Sequence, residues 1–274
     1  MASPKLETYR SLELPGLKRR RVDVWLPELY HQEPGIKLPV LYINDGQNVF
    51  NRSPYVGSGW KIHERISTLA EEGKILPAIV VAITSTMNRL GEYLPQKPLG
   101  YPGGLAYARE HGPRRLNPGK VFSDQYLKLI VTVIKPIIDE TYRTLSDRNN
   151  TAIMGSSMGG LISFYALCEY PDVFGAAACL STHWTILGDY MLRYARQTLP
   201  EAGTHKLYFD YGGKGYDKQY EPFQNKIDAL LQDKAYQEGK DFQSWVFEDD
   251  DHNELYWSKR LHLPLGFLYG KQDY

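Results

Sequence analysis

The chain has 274 residues, of which 42% are hydrophobic and 13% aromatic, enough to bury a sizeable core, and its 32 basic residues balance 32 acidic ones. That neutrality supplies no global field for nucleic acid or an anionic membrane surface, and no run of about 18 apolar residues exists to span a bilayer. The two cysteines, Cys168 and Cys179, lie in apolar surroundings and read as buried free thiols, not a disulfide framework.

In chain order, the N-terminal stretch "MASPKLETYRSLELPGLKRRRVDVWLP" lacks the apolar segment of a secretory signal, so a cytoplasmic protein is expected. The basic run Lys18 to Arg21 leads straight into "VDVWLP" and reads as a solvated strand entry. Strands are predicted at 21–27, 38–45, 78–84, 151–155, 175–182, 206–212 and 242–249, where β-branched and apolar runs are bounded by Pro, Gly, Asn or Asp. Helical periods occupy 60–73, 123–142, 159–171 and 220–239, with a closing helix over 258–270. This alternation predicts an α/β fold as a single domain over 1–274, with a mostly parallel central sheet and helices on both faces. One segment, 84–120, is rich in Gly, Pro, Tyr and Arg without a sustained period, and an irregular binding loop or lid is expected there.

Ligands of open parallel sheets bind beyond the carboxyl ends of the strands. At one such end Gly155-Ser156-Ser157-Met158-Gly159 matches G-x-S-x-G, where a sharp strand-to-helix turn lifts a serine hydroxyl clear of the sheet. The pattern alone is weak, and its placement between a strand and a helix makes it strong. Ser157 is therefore the candidate nucleophile.

A serine hydroxyl needs a base, and in this arrangement the histidine follows the final strand. Of the seven histidines, His252 directly follows such a strand, in "FQSWVFEDDDHNELYW". His262 falls in the closing helix, His205 precedes a strand at the wrong end of the sheet, and His183 precedes any candidate acid, though it can line a pocket. The acid should follow the preceding strand, where "KLYFDYGGKGYDKQYEPFQ" offers Asp210, Asp217 and Glu221. Asp217 is preferred, because it lies beyond the glycine loop and can reach back. An oxyanion formed on an attacked ester needs N–H donors, and those of Met158 and of Gln47, in the Asp45-Gly46-Gln47-Asn48 turn, are the candidates.

"LPVLYINDGQNVF", "NRLGEYLP", "IMGSSMGGLISFYALCEYPDVFG", "CLSTHW", "YFDYG" and "DHNELYWSKRL" together resemble the putative-esterase family of α/β hydrolases. That family includes enterochelin-esterase-like proteins, feruloyl and acetyl-xylan esterases, S-formylglutathione hydrolases and mycolyltransferases. The resemblance runs from about Val22 to Leu268 and implies the α/β-hydrolase fold with a Ser157, Asp217, His252 triad. A small-molecule ester substrate is expected and no cofactor, and the acidic run Glu248 to Asp251 lacks a calcium-loop spacing, so no metal is expected. An acyltransferase or thioesterase would keep the same triad, and a binding module that has lost the chemistry is the alternative from another class. Arg89 and Tyr93 of the 84–120 excursion, with Trp184, are expected to wall the substrate pocket; Tyr101, Tyr107, Arg109, His111, Arg114 and Arg115 accompany them on the excursion.

Overall fold

The protein is described by a computed structural model covering residues 5–112 and 116–270. Arg114 and Arg115 lie outside the described residues. Strands β1 (Glu7–Leu12), β2 (Arg20–Trp25), β3 (Val40–Asn44), β4 (Ile79–Ile83), β5 (Thr151–Ser156), β6 (Ala176–Leu180), β7 (Lys206–Gly212) and β8 (Phe242–Phe247) form one sheet in the order β1-β2-β4-β3-β5-β6-β7-β8. β2 runs antiparallel to both β1 and β4, and every pairing from β4 across to β8 is parallel. The strands predicted from apolar runs are all present. β1 carries no apolar run, because it is a half-exposed edge strand in which only Tyr9 and Leu12 pack against the core.

Because side chains alternate across a strand, the central strands feed two cores. Val40 and Tyr42 of β3 join Ile153 and Phe209 on one face, while Leu41 and Ile43 join Met154 and Tyr208 on the other. The helix Met158–Glu169 is buried almost all round, which explains why "GGLISFYALC" carries no polar face.

Over its described residues the excursion at 84–120 is not irregular. It holds helices Arg89–Tyr93, Gln96–Leu99 and Gly104–His111, each too short and too bounded by Pro or Gly to show a period. Nor does most of it hang over the sheet as a lid. Tyr101 donates to Gln197 at 2.6 Å, and the Arg193 guanidinium lies 4.4 Å from its ring, so this part docks on the helix Asp189–Thr198. Tyr107 stacks on His111 with ring centroids 3.9 Å apart.

Arg20 also departs from expectation. The pleat of β2 turns its side chain inward, where it pairs with Glu92 at 2.9 Å and lies over the Tyr126 ring, while Arg21 faces solvent. A basic run therefore includes one buried charge, and that charge pins the excursion to the sheet.

Candidate active site

Six loops gather at the carboxyl ends of β3 to β8. The turn after β5 holds Ser157 at φ 59°, ψ −122°, a conformation that L-residues rarely adopt. Two hydrogen bonds to β6 and its following loop fix it: Ser157 N–H donates to Leu180 O at 2.8 Å, and His183 N–H donates to Ser157 O at 3.2 Å. A Cβ at Gly155 would sit 2.5 Å from the Gly159 backbone, so the crowding of small residues is what lets strand and helix close on each other. Met158 opens the helix, and its N–H belongs to the first turn, where amides lack intrahelical partners.

The loop after β7 winds one 3₁₀ turn, Gly215–Gln219, and buries Asp217 completely. His252, on the loop after β8, makes a 2.5 Å contact from Nδ1 to Asp217 Oδ1. The other carboxylate oxygen accepts from Gly212 N–H at 2.7 Å and from Ser181 Oγ at 2.6 Å. Ser181 Oγ in turn accepts from Trp257 Nε1 at 2.8 Å and from Arg260 Nη2 at 3.1 Å. Arg260 also pairs with Asp210 at 2.9 Å and with Asp250 at 2.7 Å. Asp210 is thus a buried partner of Arg260, and Glu221 lies on the exposed start of the helix Glu221–Asp233. Of the three candidate acids, Asp217 is the one joined to His252.

Edge-on aromatic rings set the His252 imidazole in place: Trp257 at 5.0 Å, Tyr220 at 5.9 Å and Tyr216 at 6.1 Å between centroids. Ser157 and His252 share the wall of one cleft of about 310 Å³, which Asp45, Asn48, Tyr55, Val56, Arg89 and Glu254 also line. Among the described residues no hydrogen bond joins the Ser157 and His252 side chains.

Beside them sits a second histidine. His183 Nδ1 contacts the Tyr220 hydroxyl at 2.7 Å. Burial, then the charges of His252 and Arg89, pushes the His183 pKa down to about 4, so its ring stays neutral near pH 7. Burial likewise raises the Tyr220 phenol above its ordinary range and keeps it a proton donor.

The remaining candidates separate. Arg89 lines the cleft and grips Asp45 with two bonds of 2.7 Å. Burial works to lower the Arg89 pKa, but the Asp45 charge and hydrogen bonds outweigh it and the pKa is raised. Gln47 turns its amide to Ser85, accepting from Ser85 N–H at 3.1 Å and donating to Ser85 Oγ at 2.9 Å, and its side chain lines a neighbouring cavity instead of the cleft. Tyr93 is fully buried, its hydroxyl accepting from Asp45 N–H at 3.0 Å. Trp184 is core: it packs on Phe164 and Phe209 and donates to Gln224 at 2.9 Å. Neither aromatic residue is a substrate wall. His183 lies beside the site, as its place after β6 allowed, whereas Ser181, Arg260 and Tyr220 carry no motif; only Tyr220, one turn beyond Asp217, has a spacing that could have raised it.

Comparison with known proteins identifies the family and the fold. A family model described as Putative esterase matches residues 17–261. The chain is 24% identical over 273 residues to the uncharacterized protein YbbA of Bacillus subtilis (strain 168), covering 92% of this chain and 93% of that one. It is 25% identical over 250 residues to an endo-1,4-beta-xylanase/feruloyl esterase of Xylanibacter ruminicola, covering 89% of this chain but 28% of that longer protein. An IroE-like serine hydrolase from Shewanella oneidensis shares the fold, with a TM-score of 0.71 at 20% identity, over 96% of this chain and 79% of the other. The eight-stranded, mostly parallel sheet is accordingly that of an α/β hydrolase.

Proposed function

Because the chain belongs to the Putative esterase family and is thereby a carboxylic ester hydrolase, we propose that it works through an acyl-enzyme on Ser157, with His252 as base and Asp217 as orienting acid. The observation that carries this reading is the 2.5 Å contact of His252 Nδ1 with the buried Asp217 carboxylate, in the same cleft as a serine held at φ 59°.

With Asp217 accepting from Nδ1–H, the His252 ring keeps Nε2 free to take the Ser157 proton as Oγ attacks the ester carbon. The negative charge moves to the carbonyl oxygen, and the N–H groups of Met158 and Gln47 stabilise it. Each such donor is worth about 10²–10³ in rate. His252 then returns the proton to the departing alcohol, the C–O bond breaks, and the acyl group remains on Oγ. Water repeats the sequence and releases the acid.

A substrate with an apolar or aromatic part suits the cleft mouth, where Tyr55 and Val56 are exposed beside the Arg89 guanidinium. The name of the feruloyl esterase relative points to the same class. Ser157→Ala should fold normally, lose turnover of p-nitrophenyl acetate and lose labelling by a fluorophosphonate. Labelling of that variant at the wild-type rate would remove Ser157 from the mechanism. A panel of acetyl, butyryl and feruloyl esters then ranks substrates by kcat/KM.

A further inference from the structure

The helix Glu254–Arg260 opens on a carboxylate that no neighbour holds. The helix start is already capped, the Asn253 side chain accepting from Leu255 N–H at 3.1 Å. Glu254 is only 4% exposed, yet among the described residues its carboxylate joins no hydrogen bond and no ion pair. Its oxygens are not sealed in either, and the residue lines the same cleft as Ser157 and His252. Taking a carboxylate out of bulk water without a partner is costly, so the missing donor is expected on whatever fills the cleft.

The backbone says which part of the substrate meets this group. Asn253 is extended, at φ −160° and ψ 168°, and residues on either side of an extended one project to the same face. Glu254 thus shares a wall with His252, and so does Trp257, whose ring lies 5.0 Å from the imidazole. To protonate the departing alcohol, His252 must reach its oxygen. The alcohol part of the ester therefore passes along this wall. Charge narrows the choice further: Asp45 and Arg89 cancel in two bonds of 2.7 Å, so, His252 apart, the cleft is left with the negative charge of Glu254.

We propose that Glu254 determines specificity by accepting a hydrogen bond from the alcohol part of the substrate, which carries a hydroxyl or an ammonium group and no carboxylate. The proposal rests on Ser157 and His252 carrying out the hydrolysis. A carboxylate only accepts, so a hydroxyl and an ammonium N–H both suit it, and an anion is repelled. A substrate without a donor leaves Glu254 buried and unpaired in the complex, which is how a polar pocket rejects an apolar analogue. This polar selection lies inside the cleft, apart from the apolar one at its mouth.

Five butyrate esters that differ only in the alcohol test this: propyl butyrate, glycerol 1-butyrate, 2-(dimethylamino)ethyl butyrate, butyrylcholine and O-butyryl glycolate. Titration of the released acid gives kcat/KM for each. In the wild type the glycolate, which carries a carboxylate, should be the poorest. Glu254→Met keeps the length of the side chain and removes its acceptor. If the donor is a hydroxyl, this variant should lower the ratio of glycerol to propyl ester about ten- to a hundredfold, the range for a hydrogen bond to a charged group. If it is an ammonium N–H, the same fall should appear in the ratio of the dimethylammonium ester to butyrylcholine, which has the charge without the N–H. Glu254→Gln, an acceptor without charge, should fall between wild type and Glu254→Met in these ratios, and it replaces Glu254→Met should that variant fold poorly. Both ratios unchanged, an equal loss on all five esters, or a wild type that takes the glycolate as readily as propyl butyrate would overturn the proposal. Ser157→Ala measured alongside separates the two levels: loss of all hydrolysis there with flat ratios in Glu254→Met rejects only the role of Glu254, whereas an active Ser157→Ala rejects the nucleophile.

Discussion

The two sides of the cleft are built in opposite ways. Behind His252, Asp217, Ser181, Trp257, Arg260 and Asp210 are buried and each is held by a side chain of another. At the mouth, Tyr55 and Val56 are 66% and 37% exposed. The buried side holds the His252 ring against the Asp217 carboxylate, a contact that tolerates little displacement; the open side offers apolar surface that a substrate can cover. Chemistry and selectivity are thus assigned to different mechanical regimes, and substitutions should separate them.

The deepest break should come from Asp217→Asn, which removes the charge behind His252 and permits the wrong tautomer. A kcat on p-nitrophenyl acetate lower by about 10³–10⁴ is expected, with little change in substrate binding. A loss below tenfold, with a larger one in Asp210→Asn, would shift the acid to β7.

Arg260→Met should damage the scaffold, costing about 3–5 kcal/mol in urea denaturation because Asp210 is left buried without its cation. Burial already raises the Asp210 pKa, with Arg260 opposing it, so the variant raises it further. A raised carboxyl pKa in the folded state means that the folded protein binds more protons than the unfolded one. The stability deficit should therefore deepen as pH rises from 5 to 7, and a deficit flat with pH would contradict the account.

A smaller effect belongs to His183. Its folded pKa of about 4 lies below the ordinary 6.5, so between these values the unfolded chain binds the extra proton. Stability is lost as pH falls through that window, by about 1–3 kcal/mol, and His183→Gln should flatten this part of the profile relative to wild type. Identical profiles would mean that His183 titrates normally.

The mildest changes are expected at the mouth. Tyr55→Ala and Val56→Ser should alter stability by no more than about 0.5 kcal/mol. Their kcat/KM should fall severalfold more on an aryl ester than on p-nitrophenyl acetate. Equal loss on both esters would place these side chains with the scaffold.

The same division governs what the sequence disclosed. Strands buried on both faces announce themselves as continuous apolar runs, and Ser157 and His252 occupy positions that strand order dictates. Asp217 was readable because a glycine loop must bring it back to β8. Arg260 and Ser181 were not, since a buried ion network joins residues distant in the chain and leaves no local spacing. Trp184 failed for a related reason: a large aromatic residue after a strand looks the same whether it faces a cavity or a core. The excursion misled through brevity, its helices being shorter than the window in which a period can be counted.

The left-handed backbone at Ser157 has a consequence for the history of such a chain. Holding a non-glycine residue there costs on the order of 1–3 kcal/mol, a sizeable share of a domain's net stability. Glycine at this position would relieve the strain and, with Ser157 as the proposed nucleophile, end the chemistry in one step. Any lineage no longer selected for hydrolysis has a downhill route away from serine, so thermal stability and esterase activity should trade against each other at this residue.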